Sequence, residues 1–266
     1  MKKLRLAKSI TKMMVKDRIQ YPARLIVDTF GIVARYGILM VLYWYVFQFQ
    51  GGEINNVTFQ IVAWSMFLYF AFMTLRLRDL AKMIMNDIKS GAVETLLPKP
   101  INYLAYRIWW QFGAGLYPFI VTTILGVITL ALTIGIPESM HSGFFVITLA
   151  VTFVFAAILS LLIYSAVGLF AFWIEEVKPL YWIVDKAVMI LGGSYLPVAL
   201  FPVIMYKIAI YSPFGASQFI THTVYDTWKV DFIKLIGIQL GWIIVIGILV
   251  FFLFNRAQRK VSVNGG

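Results

Sequence analysis

Gly193-Ser194 and the distant His222 carry the side chains of a nucleophile and a base. A serine and a histidine that meet inside a bilayer would form an acyl-transfer pair. Glu175 and Glu176 are adjacent acids of the kind that serves acid–base chemistry. No histidine lies within a long apolar stretch to join them, so the reading adopted for them is a solvated pair. Asp28 and Arg35 stand seven apart on one face of the first apolar segment, about two turns from each other. The chain has no cysteine, which removes disulfides, thiolate metal sites and thiol nucleophiles. Two histidines, His141 and His222, leave little for a metal cluster. There is also no Gly-x-x-x-x-Gly-Lys-Ser/Thr phosphate loop, so the chain does not split ATP by that route. No cofactor is expected on it.

The elements that position these residues follow from composition. Hydrophobic residues are 61% of the 266 and charged residues 13%, about half the usual charged share of ~25%. A soluble globule of this length has too little interior to hide that surface, so lipid is the solvent. Six uncharged or nearly uncharged segments emerge. Val57–Leu75, Ile108–Ile136, Phe144–Ile174 and Leu235–Phe254 are clean. The first segment begins near Leu25, runs to Gln50 and carries Arg35. The fifth lies between Lys186 and Lys207 and is broken by Gly192, Gly193, Pro197 and Pro202.

Net charge is +11, and its placement argues topology rather than nucleic acid. Lysines and arginines number eight through Arg24, none over 51–56, six from Arg76 to Arg107, and none over 137–143. Two follow from Glu175 to Lys186, three from Tyr206 to Lys234, and three from Asn255 onward. That alternation predicts both termini in the cytoplasm, and the location expected is a prokaryotic plasma membrane. The basic start without an early apolar core does not read as a cleaved signal. The divisions expected are 1–23 as an interface helix, 24–255 as the six-span domain, and 256–266 as a cytoplasmic tail.

In the N-terminal arm, Leu6, Ile10, Met13 and Met14 share one arc at helical spacing, with Arg5, Lys8, Lys12 and Lys16 opposite. This predicts an amphipathic helix on the membrane surface, with docking of a cytoplasmic partner as the sharper reading. After the second span, Gly91 ends one helix and Pro98 and Pro100 force an extended exit. The residues between, Ala92, Val93, Glu94, Thr95, Leu96 and Leu97, make one short capped turn. Exposed Val93, Leu96 and Leu97 would suit a groove on another protein. In the fifth span, the breakers from Gly192 to Phe201-Pro202 predict a half-helix and a re-entrant outer hairpin, because freed backbone groups cannot face lipid. Ser212-Pro213-Phe214-Gly215 adds a further break.

These features in this order resemble the permease subunit of ABC exporters of the type-2 superfamily, in its six-span branch. The likeness rests on Gly91-Ala92-Val93-Glu94-Thr95-Leu96-Leu97-Pro98, on Gly193-Ser194-Tyr195-Leu196-Pro197 with Phe201-Pro202, and on Pro213-Phe214. The resemblance implies an all-α integral membrane protein with an interface helix, a coupling helix after the second span, and pairing with a second permease, identical or a sister. It also implies two copies of a cytoplasmic ATPase that bind ATP and Mg. Contact with the ATPase would fall on Gly91 to Pro98, with Glu175 and Glu176 in support. The cargo expected is hydrophobic or amphipathic, moved outward.

Two rivals remain. An intramembrane hydrolase would need Ser194 and His222 to meet, yet His222 falls in a polar stretch (Thr221, Thr223, Asp226) outside any span. An ion-coupled carrier needs acids near mid-membrane, and spans two, three, four and six have none. Arg35 is expected to snorkel or to line a subunit interface.

Overall fold

The computed structural model describes residues 2–20, 22–97 and 101–264, with side chains over 5–20, 30–97 and 101–260. Eleven α-helices make up nearly all of this described part. In chain order they are α1 (Lys2–Gln20), α2 (Pro22–Phe49), α3 (Phe59–Met73), α4 (Asp79–Lys89) and α5 (Ala92–Leu96). Then follow α6 (Tyr103–Thr133), α7 (Gly143–Leu169), α8 (Lys178–Leu191), α9 (Val203–Tyr211), α10 (Pro213–Ala216) and α11 (Trp228–Asn264). Four stretches are long and apolar enough to cross a membrane: Phe30–Phe49, Tyr103–Thr133, Gly143–Phe172 and Trp228–Lys260. Helix α3 is apolar but shorter.

Packing follows from which helices are apolar on every side. From Ile61 to Phe72, every residue of α3 is buried, and the second half of α7 is buried nearly as fully. They form the centre. On the outside, α2 leaves Phe30, Ile38 and Phe49 bare, Phe49 at 87% exposure, and α6 and α11 expose comparable apolar faces. Such surfaces are stable against hydrocarbon and not against water.

Helix boundaries depart from expectation at several points. Val57 and Thr58 belong to a two-residue strand paired with Glu53–Ile54, and the turn Asn55-Asn56 has positive φ at both residues. That is the geometry of a tight hairpin turn. Helix α3 therefore starts at Phe59, with Thr58 as its cap. The stretch 256–260 continues α11.

Helix α1 is amphipathic, and its buried stripe is Ala7, Ile10 and Met14, while Leu6 and Met13 are exposed. It packs on α6, where a Cβ on Gly113 would meet Thr11 Cα at 2.8 Å, so small size at 113 is what lets the helices cross. Arg5, Lys8, Lys12 and Lys16 are exposed.

Helix α4 is fastened to α6 by charge. Arg107 grips Asp87 with two N–H groups, Nε to Oδ2 at 2.7 Å and Nη2 to Oδ1 at 2.6 Å, and the Tyr103 hydroxyl donates to the same carboxylate at 2.6 Å. A two-pronged, mostly enclosed pair of this kind is both rigid and costly to halve. Asp87→Ala is expected to destabilise the fold by about 3 kcal/mol or more, the scale for orphaning one partner of a buried pair. Thermal unfolding in detergent checks this, and Asp87→Ala with Arg107→Leu should recover part of the loss.

Candidate functional site

Gly91 has φ +73°, a left-handed conformation open to glycine, and it turns the chain sharply from α4 into α5. Val93 of α5 is 3% exposed and packs in the core with half-buried Leu96 and Leu97. The outward face is Glu94 and Thr95 instead. The apolar side of so short a helix is used up by its own bundle, which corrects the expectation of exposed Val93, Leu96 and Leu97. Gly91 and Ala92 are half-buried, and Pro98 lies outside the described residues.

Glu176, in the loop between α7 and α8, accepts a hydrogen bond from Lys89 Nζ at 3.3 Å, two residues before Gly91. The tertiary fold thus brings together the α4–α5 corner and the acidic loop, 87 residues apart. Glu175 is exposed beside it. The Lys178 backbone N–H, followed by the Lys89 ammonium, holds the Glu176 carboxyl below the usual carboxylate range.

At its other end α4 joins α3 through a strained corner. Arg76 has φ +54°, uncommon for a residue with a side chain. Its carbonyl accepts from Gln111 Nε2 at 2.9 Å, and its Nε donates to Asp79 at 2.7 Å. Next to it, Arg78 Nη1 lies 3.5 Å from Asp185 Oδ2, and the Tyr164 hydroxyl donates to Asp185 Oδ1 at 3.1 Å. Asp185 is 1% exposed. The basic-residue count puts it in a connection, but α8 begins at Lys178, and Tyr181, Val184, Asp185 and Val188 recur at helical spacing on its buried face. That spacing was the signal that could have found it. A cavity of about 30 Å³ adjoins the pair, lined in part by Tyr69, Ser160 and Gln218.

Helix α8 stops at Leu191, and the break follows. Gly193, at φ +86°, turns the chain. Gly192, Gly193, Ser194 and Pro197 are all buried, so the freed backbone is enclosed by protein. Phe201 is buried, Pro202 exposed, and Pro213 and Phe214 half-buried. Beyond α9 the chain folds back, with α10 against α8 and α9 and the turn of helix Phe219–Val224 wedged against α3 and α7.

Helix α2 is clipped to this break. Arg35 Nη2 donates to Ser194 Oγ at 2.9 Å, and its guanidinium stacks over Tyr195 at 4.4 Å and Phe70 at 5.5 Å. The Tyr43 hydroxyl donates to the Tyr195 carbonyl at 2.6 Å. Arg35 therefore turns inward to the fifth segment rather than snorkelling. Ser194 is engaged by Arg35, while the His222 ring lies between Phe219 and Tyr225. No hydrogen bond joins Ser194 to His222 among the described residues, and the hydrolase geometry is absent there. His222, Thr221 and Thr223 are buried, contrary to the polar loop expected. The two threonines bond to backbone carbonyls of Gln218 and Ile220, which makes burial tolerable.

The model for ABC-2 family transporter proteins matches residues 33–265. The chain belongs to that family. Its members are membrane permease components without an ATPase domain, generally working with a cytoplasmic ATPase, so this ABC-2 protein is a multi-pass membrane protein of a transporter. Among curated proteins nothing matches it.

Because Glu176 is held below its ordinary range, its contact with Lys89 is complete at neutral pH and fails as pH falls through the depressed value. Nitroxide labels at Thr95→Cys and Glu175→Cys should show a narrow distance distribution at neutral pH that broadens in acid. With Lys89→Ala added, the broad distribution is expected at every pH.

Proposed function

We propose that this ABC-2 protein crosses the membrane six times, with α3 and the α8–α9 segment as the second and fifth crossings and both termini in the cytoplasm of a prokaryotic cell. It pairs with a second permease, identical or a sister, and with two cytoplasmic ATPase subunits that bind ATP and Mg. Work from the ATPases moves a hydrophobic or amphipathic compound outward. On this reading the charged α4–α5 corner meets the ATPase through Glu94 and Thr95, with Lys89, Glu175 and Glu176 beside it. Helix α1 adds a basic surface toward headgroups or partner.

The observation that carries the reading is the Arg78–Asp185 pair. It links the corner that holds α4 to the helix that ends at the break, so a rigid movement of α4 is felt at Gly192–Pro197. Asp87 and Arg107 keep α4 from flexing on its own. A packed bundle responds to such a push by switching between discrete arrangements.

Asp185 also supports a second reading, because an acid enclosed among spans is what an ion-coupled carrier uses. Its pairing with Arg78 and Tyr164 favours a structural link instead. Purified chain in vesicles under a proton or sodium gradient, without ATPase, separates the two: solute movement there would establish the carrier.

Affinity purification from native membranes is expected to recover an ATP-hydrolysing subunit. Glu94→Ala with Thr95→Ala should lower that recovery by about tenfold, equivalent to ~1.4 kcal/mol of binding. Thermal stability should hold, since both side chains are exposed. Undiminished recovery would overturn the assignment of α5.

A further inference from the structure

The cavity beside Asp185 is bordered by polar groups that the pairing with Arg78 leaves unused. Tyr69 of α3, Ser160 of α7, Asp185 and Met189 of α8, and Gln218 after α10 all line it. Ser160 is 2% exposed and Gln218 5%. Yet Ser160 Oγ and Gln218 Oε1 have no hydrogen-bond partner among the described residues. A buried polar atom is stable only when something bonds to it. Asp185 also has accepting capacity to spare. Tyr164 and Arg78 take one position on each oxygen, and a carboxylate offers about four.

Size and chemistry together select the occupant. The cavity measures about 30 Å³, and roughly 10–15 Å³ admits one water molecule, so one or two fit. Gln218 Oε1 and Asp185 only accept, so a shared ligand must donate twice and must also meet the Ser160 hydroxyl. A metal cation would lie close to the Arg78 guanidinium, whose charge already balances Asp185. An apolar occupant would leave the orphaned oxygens as they are. Water alone is small, uncharged and able to donate twice.

We propose that this cavity is a binding site for water, which donates to Asp185 and to Gln218 Oε1 and pairs with Ser160 Oγ. The same water reaches the break. Tyr69 lines the cavity and is hydrogen-bonded to Ser194, which in turn accepts from Arg35. A polar path then runs from Arg78 and Asp185 through water to Tyr69, Ser194 and α2. That this path passes motion from α4 to the break rests on the coupling reading, whereas the binding of water does not.

X-ray radiolytic footprinting tests the site. Full-length protein in nanodiscs, without nucleotide or ATPase, receives a brief synchrotron pulse that turns bound water into hydroxyl radical, and oxidised side chains are mapped by mass spectrometry. Met189 and Tyr69 line the cavity, while Met66 and Tyr103 are comparably buried away from it and serve as matched references. Oxidation of Met189 and Tyr69 should exceed that of the references severalfold. Ser160→Ala with Gln218→Leu leaves water too few partners, and oxidation should return to the reference level. No excess in the unmodified protein, or an undiminished excess in the double variant, would overturn the site. Should the double variant not fold, the comparison within the unmodified protein decides alone. Failure to recover an ATPase would leave this result untouched.

Discussion

The carboxylate of Asp185 is enclosed where α3, α7 and α8 meet, and an enclosed charge persists only with a counter-charge and hydrogen bonds around it. Arg78 and Tyr164 supply them. Because Arg78 sits in the strained corner after α3, this one pair ties the start of α4 to the middle of α8. Without it, the helices that bear the corner and the break would touch through apolar packing, which holds but does not register one element against another. A buried pair of this sort adds little net stability. Its contribution here is alignment.

A parallel constraint governs the break. Backbone freed by Gly192, Gly193 and Pro197 must be covered, and the structure covers it with Ser194 turned inward, Arg35 across it and Tyr43 on the carbonyl of Tyr195. Helix α2 is otherwise a peripheral helix with apolar faces bare to lipid. Its polar residues are spent on the fifth segment and, through Tyr36 to the carbonyl of Ala63, on α3. Helix α2 is thus joined to the break by a few directional bonds rather than by area. Such bonds can be exchanged one for another without unfolding the bundle.

The two ends of the molecule differ in how they are built. The α4–α5 corner is rigid: Arg107 and Tyr103 lock Asp87, Val93 is buried, and Lys89 holds Glu176. Around the break the elements are short, with α9 and α10 running nine and four residues. Under the proposed coupling, the corner would be the stiff end and the break the segmented one.

Much of this was legible in the chain itself. Uncharged runs located the long helices, Gly91 marked the start of α5, and the breakers from Gly192 followed the end of α8, because each is a local property of backbone and solvent. The hairpin at Asn55-Asn56 is local too, set by two residues that tolerate positive φ. What the sequence could not decide is which charges meet. Arg35 finds Ser194 across 159 residues and Arg78 finds Asp185 across 107. Those meetings, like the burial of Val93, depend on how each helix is rotated and tilted against its neighbours. Only the packed bundle sets that, since a helix specifies its own faces but not what will lie against them.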